Sequence, residues 1–134
     1  MSPKPLLVVV AAVIERDGSF LIARRQVGVH LEGYWEFPGG KCRPDETHIE
    51  SLRREIREEL DADVEAADKL LTSAHEYIDR VVELHFYRCS LIGSPTPMLG
   101  QELRWVSKGE LRDLPFPPAD AELISRLAGR DELG

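Results

Sequence analysis

The apolar positions of this chain follow two different periods, and those periods lay out its elements. Residues 6 to 14, LLVVVAAVI, are all Val, Leu, Ile or Ala. An uninterrupted run of that length predicts a strand covered on both faces. Asp17-Gly18 then separates it from a second apolar run, Phe20 to Ala23, which is the pattern of a hairpin. Lys4 and Pro5 ahead of the first run also resemble the start of a signal peptide, but the run is too short to span a membrane and leads directly into the hairpin. The strand reading is therefore preferred. Residues 26 to 34 form a loop with Gly28 and Gly33 as flexible points, and Trp35-Glu36-Phe37 is a short strand-like segment ended by Pro38 and two glycines.

The period then becomes helical. Ile49, Leu52, Ile56 and Leu60 form one apolar stripe at about 100° per residue. Pro44-Asp45-Glu46-Thr47 marks the start, with Asp45 or Thr47 as N-cap, and Leu60 to Asp63 the end. Residues 69–78 and 81–91 are expected as two strands around Asp79-Arg80, with Val81, Val82, Leu84, Phe86 and Tyr87 as strand formers in the second. A Pro/Gly-rich loop (92–100), a strand (102–106) and a helical turn (107–114) follow, the turn broken by Pro115, Pro117 and Pro118. Ala119 to Leu127 closes the chain as an amphipathic helix on Leu123, Ile124 and Leu127. Strands with one helix between them and another after indicate an α/β or α+β layered domain, and residues 1–134 are expected to be one domain.

Composition narrows the function. A net charge of −7 argues against a general nucleic-acid backbone binder. Cys42 and Cys89 match no zinc spacing and no disulfide framework, so a reduced, cytoplasmic setting is the default, with no membrane partner. The predicted helix adds one unusual feature. Glu55, Glu58 and Glu59 stand at i, i+3 and i+4, on one side of the helix. Such a row is most often a solvated face, yet like charges this close destabilise a helix, and a hard cation such as Mg²⁺ or Mn²⁺ would compensate.

The wider pattern settles between those readings. Gly40, five residues, Glu46, seven residues and then Arg54-Glu55-Ile56-Arg57-Glu58-Glu59 resembles the Nudix box, the signature of the Nudix hydrolase family. The family pattern ends in a glycine and an aliphatic residue, where this chain has Asp61 and Ala62. That glycine would serve as a helix C-cap, so the turn geometry is in question while every carboxylate is in place. Arg24-Arg25, His30, Trp35 to Lys41 and Phe116 to Asp120 resemble the MutT-type subgroup.

The resemblance implies a Nudix-type α/β/α sandwich with a mixed sheet, and Mg²⁺-dependent hydrolysis (Mn²⁺ also serving) of a nucleoside diphosphate linked to another group. By the same resemblance Glu55, Glu58, Glu59 and the carbonyl of Gly39 hold metal, and Glu55 or Glu58 takes the proton of the attacking water. Glu46 and Arg54 pair to fix the loop against the helix, and Glu102 is a further metal ligand or base, or else an exposed strand residue. Arg25 and His30 would contact the nucleotide, with Glu36, Phe37, Pro38 and Gly39 lining its base and sugar side. Trp35 and Phe37 read more simply as core, and His48, His75 and His85 as structural or exposed.

Asp120 stands where MutT-type enzymes have an asparagine that reads an oxidised guanine. It suits a cytosine amino group or the amide-like edge of a purine, and Asp is also a common N-cap. The expected activity is release of monophosphate and pyrophosphate from a nucleoside triphosphate, such as 8-oxo-dGTP or modified (d)CTP, by a monomer or homodimer with no nucleic-acid polymer as partner. The rivals are an ADP-ribose or nucleotide-sugar hydrolase and a silent base-reading module, as in the Nudix-like domain of an adenine DNA glycosylase.

Overall fold

The computed structural model describes residues 3–29 and 31–129. Its frame is β1 (Leu6–Arg16), which has partners along both edges. On one edge β6 (Val81–Ile92) lies parallel to it, in register from Leu6↔Val81 to Ile14↔Cys89. On the other edge β2 (Ser19–Arg24) returns from the hairpin, with Asp17 at φ 53 and Gly18 at φ 80. Two positive φ values in succession are the type I′ geometry that the Asp-Gly pair predicts. β3 (Trp35–Glu36) and β7 (Leu103–Ser107) extend the β2 side, and β5 (Asp63–Glu76) pairs antiparallel with β6 as the far edge of a seven-stranded mixed sheet.

The unbroken apolar run of β1 is explained by two cores. Val10, Ala12 and Ile14 face α1 (His48–Leu60) and pack with Leu52, Ile56 and Leu60. Ala11 and Val13 face the opposite layer, with Phe86, Leu111, Leu123 and Leu127. That layer is built by α2 (Lys108–Asp113) and α3 (Ala121–Gly129). The expected α/β/α sandwich with a mixed sheet is therefore observed. Thr47 is the N-cap of α1: its side chain accepts from Glu50 N–H, and Glu50 accepts from Thr47 N–H. At the other end Asp61 takes the left-handed conformation (φ 50, ψ 43) and its N–H reaches Arg57 O. Asp61 thus does what a C-cap glycine would do, and the departure from the box leaves the turn intact.

Some boundaries differ from expectation. β5 starts at Asp63, ahead of the expected 69, because β6 offers it backbone partners up to Ile92 whatever its side chains. Gly39–Lys41, expected only to terminate a strand, forms β4 on the free edge of β1. A Cβ on Gly39 would collide with Val10 O and stand 2.8 Å from Ala11 Cα, so only glycine fits there. The last helix begins after Asp120, which belongs to a 3-10 turn (Pro118–Asp120).

Candidate functional site

Arg54 organises the polar side of α1. Its Nε donates to both oxygens of Glu46 at 3.0 Å, its Nη1 to Glu55 at 2.8 Å and Glu58 at 3.4 Å, and its Nη2 to Lys41 O at 3.1 Å. Ser51 Oγ donates to Glu46 at 2.7 Å. Hydrogen bonds from Arg54 and Ser51 hold the Glu46 carboxyl below its ordinary range, so it is a stable anion for the clamp. One guanidinium therefore joins the loop before α1, the β4 backbone and two carboxylates. Gly40 fits beneath this assembly: a Cβ there would stand 2.5 and 2.8 Å from the two oxygens of Glu55.

Glu59 lies deeper. Its Oε2 is buried with no hydrogen-bond partner. Burial, and then the neighbouring Glu55 and Glu36, push its carboxyl up to about 9. An acidic oxygen left unpaired in such a place is costly unless a proton or cation compensates it. No three His, Cys, Asp or Glu side chains among the described residues converge as a complete metal cage. The Glu55–Glu59 pair, an all-oxygen donor set with an orphaned buried oxygen, fits a hard cation such as Mg²⁺, which needs only one or two carboxylates besides water and substrate phosphates. Glu58, one turn from Glu55, is half-exposed, with Arg43 at 3.9 Å.

A cavity of about 400 Å³ opens beside Gly39 and Gly40. Arg25 and Glu36 form an ion pair at 2.5 Å in its wall. Burial raises the Glu36 carboxyl, and Arg25 opposes the rise. Asp120, only 4 % exposed, lines the same cavity; burial first, and then Glu36, push it up to about 7 against the pull of Arg25. Phe37 is both core and wall: it stacks on Phe116 at 5.5 Å and meets Phe86 edge-on at 6.0 Å. Pro38 O accepts from Ala12 N–H at 2.8 Å, which fixes the chain entering β4.

Among the lining residues Tyr77 and Arg80 were not foreseen: they come from the β5–β6 hairpin, which reads in sequence as two strands around Asp79-Arg80 with no part in a site. The guanidinium of Arg80 sits 5.7 Å from the Tyr77 ring, and its Nε is buried with no hydrogen-bond partner. Only the parallel register of β6 on β1 brings this cation to the cavity, and nothing local in the sequence signals that pairing.

Other expected residues lie apart. Glu102 stands just before β7, half-exposed, 3.4 Å from Arg24, and does not line the cavity. His30 lies outside the described residues. His48 and His85 belong to a polar network away from the cavity, with Tyr87 Oη 2.9 Å from His48 Nδ1 and Glu83 2.7 Å from His85 Nε2.

A mixed sheet between helical layers, carrying a glutamate helix clamped to a Gly-Gly strand at the mouth of a cavity, defines a hydrolase of the Nudix class. The family model described as NUDIX domain matches residues 9–126, and the chain belongs to that family. It is similar to the CTP pyrophosphohydrolase of Escherichia coli K12, at 37% identity over 120 residues and 89% of each chain. It is also similar to the 8-oxo-dGTP diphosphatase of Haemophilus influenzae, at 34% identity over 126 residues, covering 92% of this chain and 93% of the relative. Among solved structures, the MutT protein (family Nudix hydrolase) from methicillin-resistant Staphylococcus aureus 252 superposes with a TM-score of 0.79 at 37% identity, covering 96% of this chain and 99% of that one.

Proposed function

We propose that this Nudix hydrolase is a Mg²⁺-dependent nucleoside triphosphate pyrophosphohydrolase, releasing a nucleoside monophosphate and pyrophosphate from oxidised or otherwise modified nucleotides. The observation that carries the reading is the junction at Gly39-Gly40. There the part-buried Glu55, neighbour of Glu59, stands against Gly40, which also lines a cavity, shared with Arg25 and Asp120, of a size for a base and sugar. The relatives named as a CTP pyrophosphohydrolase and an 8-oxo-dGTP diphosphatase support it.

Glu55, Glu58 and Glu59, with the carbonyl of Gly39, would hold Mg²⁺ (or Mn²⁺). When bound, the cation neutralises phosphate oxygens and lowers the pKa of water. Glu55 or Glu58 takes the proton from the water that attacks the β-phosphorus. Arg54 and Glu46 hold that glutamate in place relative to β4, a positioning role. Arg25 and His30 contact the nucleotide, and Arg80 supplies a second cation in the wall. Glu36 and Phe37 line the base and sugar side, and Asp120 reads the base. The chain works as one domain, monomeric or homodimeric, on small-molecule nucleotides rather than a nucleic-acid polymer or membrane.

A panel of oxidised purine, cytidine and unmodified nucleoside triphosphates with ADP-ribose and a nucleotide sugar, scored by kcat/KM, tests this reading. Triphosphates are expected to lead, with pyrophosphate as product. A lead for ADP-ribose or the nucleotide sugar would replace the substrate assignment. Nucleotide binding without turnover at any Mg²⁺ concentration would make the protein a silent base-reading module.

A further inference from the structure

A second cavity, of about 590 Å³, lies beside the first. Its walls are largely apolar, including Leu111, Leu114, Phe116 and Ile124. Among the described residues two line both cavities, Leu31 and Pro117. Pro117 N-caps the turn that carries Asp120, whose N–H reaches Pro117 O at 3.0 Å, so the partition stands at the end of the first cavity assigned above to the base. The pyrrolidine ring holds Pro117 at φ −59. Leu31 is therefore the member of the partition whose size decides how far the two spaces are separated.

The backbone of Leu31 points the same way. Among the described residues three other than glycine have positive φ: Asp17, Asp61 and Leu31, the last at φ 59. The two aspartates belong to a type that tolerates this region, whereas leucine has no polar side chain to offset its steric cost. Gly28 and Gly33 in the same loop show the residue that local geometry favours. The loop holds Leu31 nonetheless: Tyr34 N–H bonds Leu31 O at 3.1 Å, and Tyr34 O accepts from Arg25 N–H at 2.8 Å, next to the Arg25–Glu36 pair. A strained backbone that places an apolar side chain between two cavities is the kind of outlier that marks a functional constraint.

We propose that Leu31 is a size-determining residue for the base. Its side chain, with Pro117, closes the nucleotide cavity from the apolar one and so excludes nucleoside triphosphates whose base carries a bulky apolar substituent. This rests on the nucleotide reading above. Leu31→Gly would remove the partition and the strain together, and would join the two spaces.

The test compares wild type and Leu31→Gly on dCTP and 8-oxo-dGTP, each as the parent nucleotide and with a benzyl group on the exocyclic nitrogen, together with melting temperature. In the variant the ratio of kcat/KM for benzylated over parent nucleotide is expected to rise at least tenfold in one series, with a melting temperature equal to or above wild type. A ratio within threefold of wild type in both series overturns the proposal. So does a rise accompanied by a lowered melting temperature, since a loosened loop would then account for it. Wild type that turns over neither parent nucleotide overturns the nucleotide reading itself, and Leu31 with it, whereas a working wild type with unchanged ratios overturns Leu31 alone.

Discussion

Gly40→Ala is the substitution whose consequence can be worked most fully from the geometry. The new Cβ would stand 2.5 and 2.8 Å from the Glu55 oxygens, where ordinary van der Waals contact begins at 3.4 Å. The Glu55 carboxylate must therefore retreat by about 1 Å. It is the far end of a flexible side chain, so the retreat costs only about 0.5–1.5 kcal/mol of rotamer strain and leaves the fold standing. It also pulls Glu55 away from Arg54, now 2.8 Å distant, and from Glu59. A displacement of that size at a catalytic group lowers turnover by about 100-fold. Gly39→Ala differs in kind, because its Cβ would collide with the β1 backbone at Val10 and Ala11, which cannot rotate aside. The expected pair of results is a Gly40→Ala protein that melts within a few degrees of wild type with kcat down about 100-fold, and a Gly39→Ala protein that melts well below it. Pyrophosphate release and thermal melting read both. A Gly40→Ala enzyme with kcat within threefold of wild type would refute the placement of Glu55.

Asp61→Gly relieves a left-handed aspartate at the α1 C-cap and should stabilise the protein by about 0.5 kcal/mol without changing kcat, measured by urea unfolding; a loss of stability would show that the Asp61 side chain contributes something the cap geometry does not. Burial pushes the Asp120 carboxyl up to about 7, from about 4 for an aspartate in the unfolded chain, so the folded state holds its proton more tightly and this group's contribution to stability is lost as pH rises from about 4 to about 7. Asp120→Asn, which cannot ionise, should therefore exceed wild type in stability by a few kcal/mol at pH 8 and by much less at pH 4.5, and an equal gap at the two pH values would contradict the buried, raised carboxyl. Glu59→Gln should abolish the Mg²⁺-induced rise in melting temperature along with turnover; a rise equal to wild type would remove Glu59 from the metal site.

The parts of the fold and site legible in the sequence are those set by local chemistry. The β1 run, the Asp17-Gly18 turn, the α1 stripe and its cap all follow from spacing and residue type, and so does the side of α1 on which the glutamates stand. The pairing of Glu46 with Arg54, which the family resemblance implied, is observed, and Phe37 serves as core, as its type suggested. What was hidden depends on strand register. Tyr77 and Arg80 reach the cavity only because β6 lies parallel to β1, and β4 exists only because β1 leaves an edge open beside Gly39. The residue type at 61 left the turn geometry open, and aspartate adopts the left-handed conformation that the turn needs. Glu102 illustrates the converse, since its acidity made it a candidate ligand and register places it beside Arg24.

The central claim, that the α1 glutamates carry metal-assisted hydrolysis of a nucleoside triphosphate, is tested most directly by product analysis of wild type and Glu58→Gln with and without Mg²⁺. Monophosphate and pyrophosphate in equal amounts from wild type only when Mg²⁺ is present, and a fall of at least 100-fold in Glu58→Gln at unchanged melting temperature, are the predicted results. Orthophosphate as the product, turnover that survives chelation, or a Glu58→Gln enzyme near wild-type activity would contradict the account.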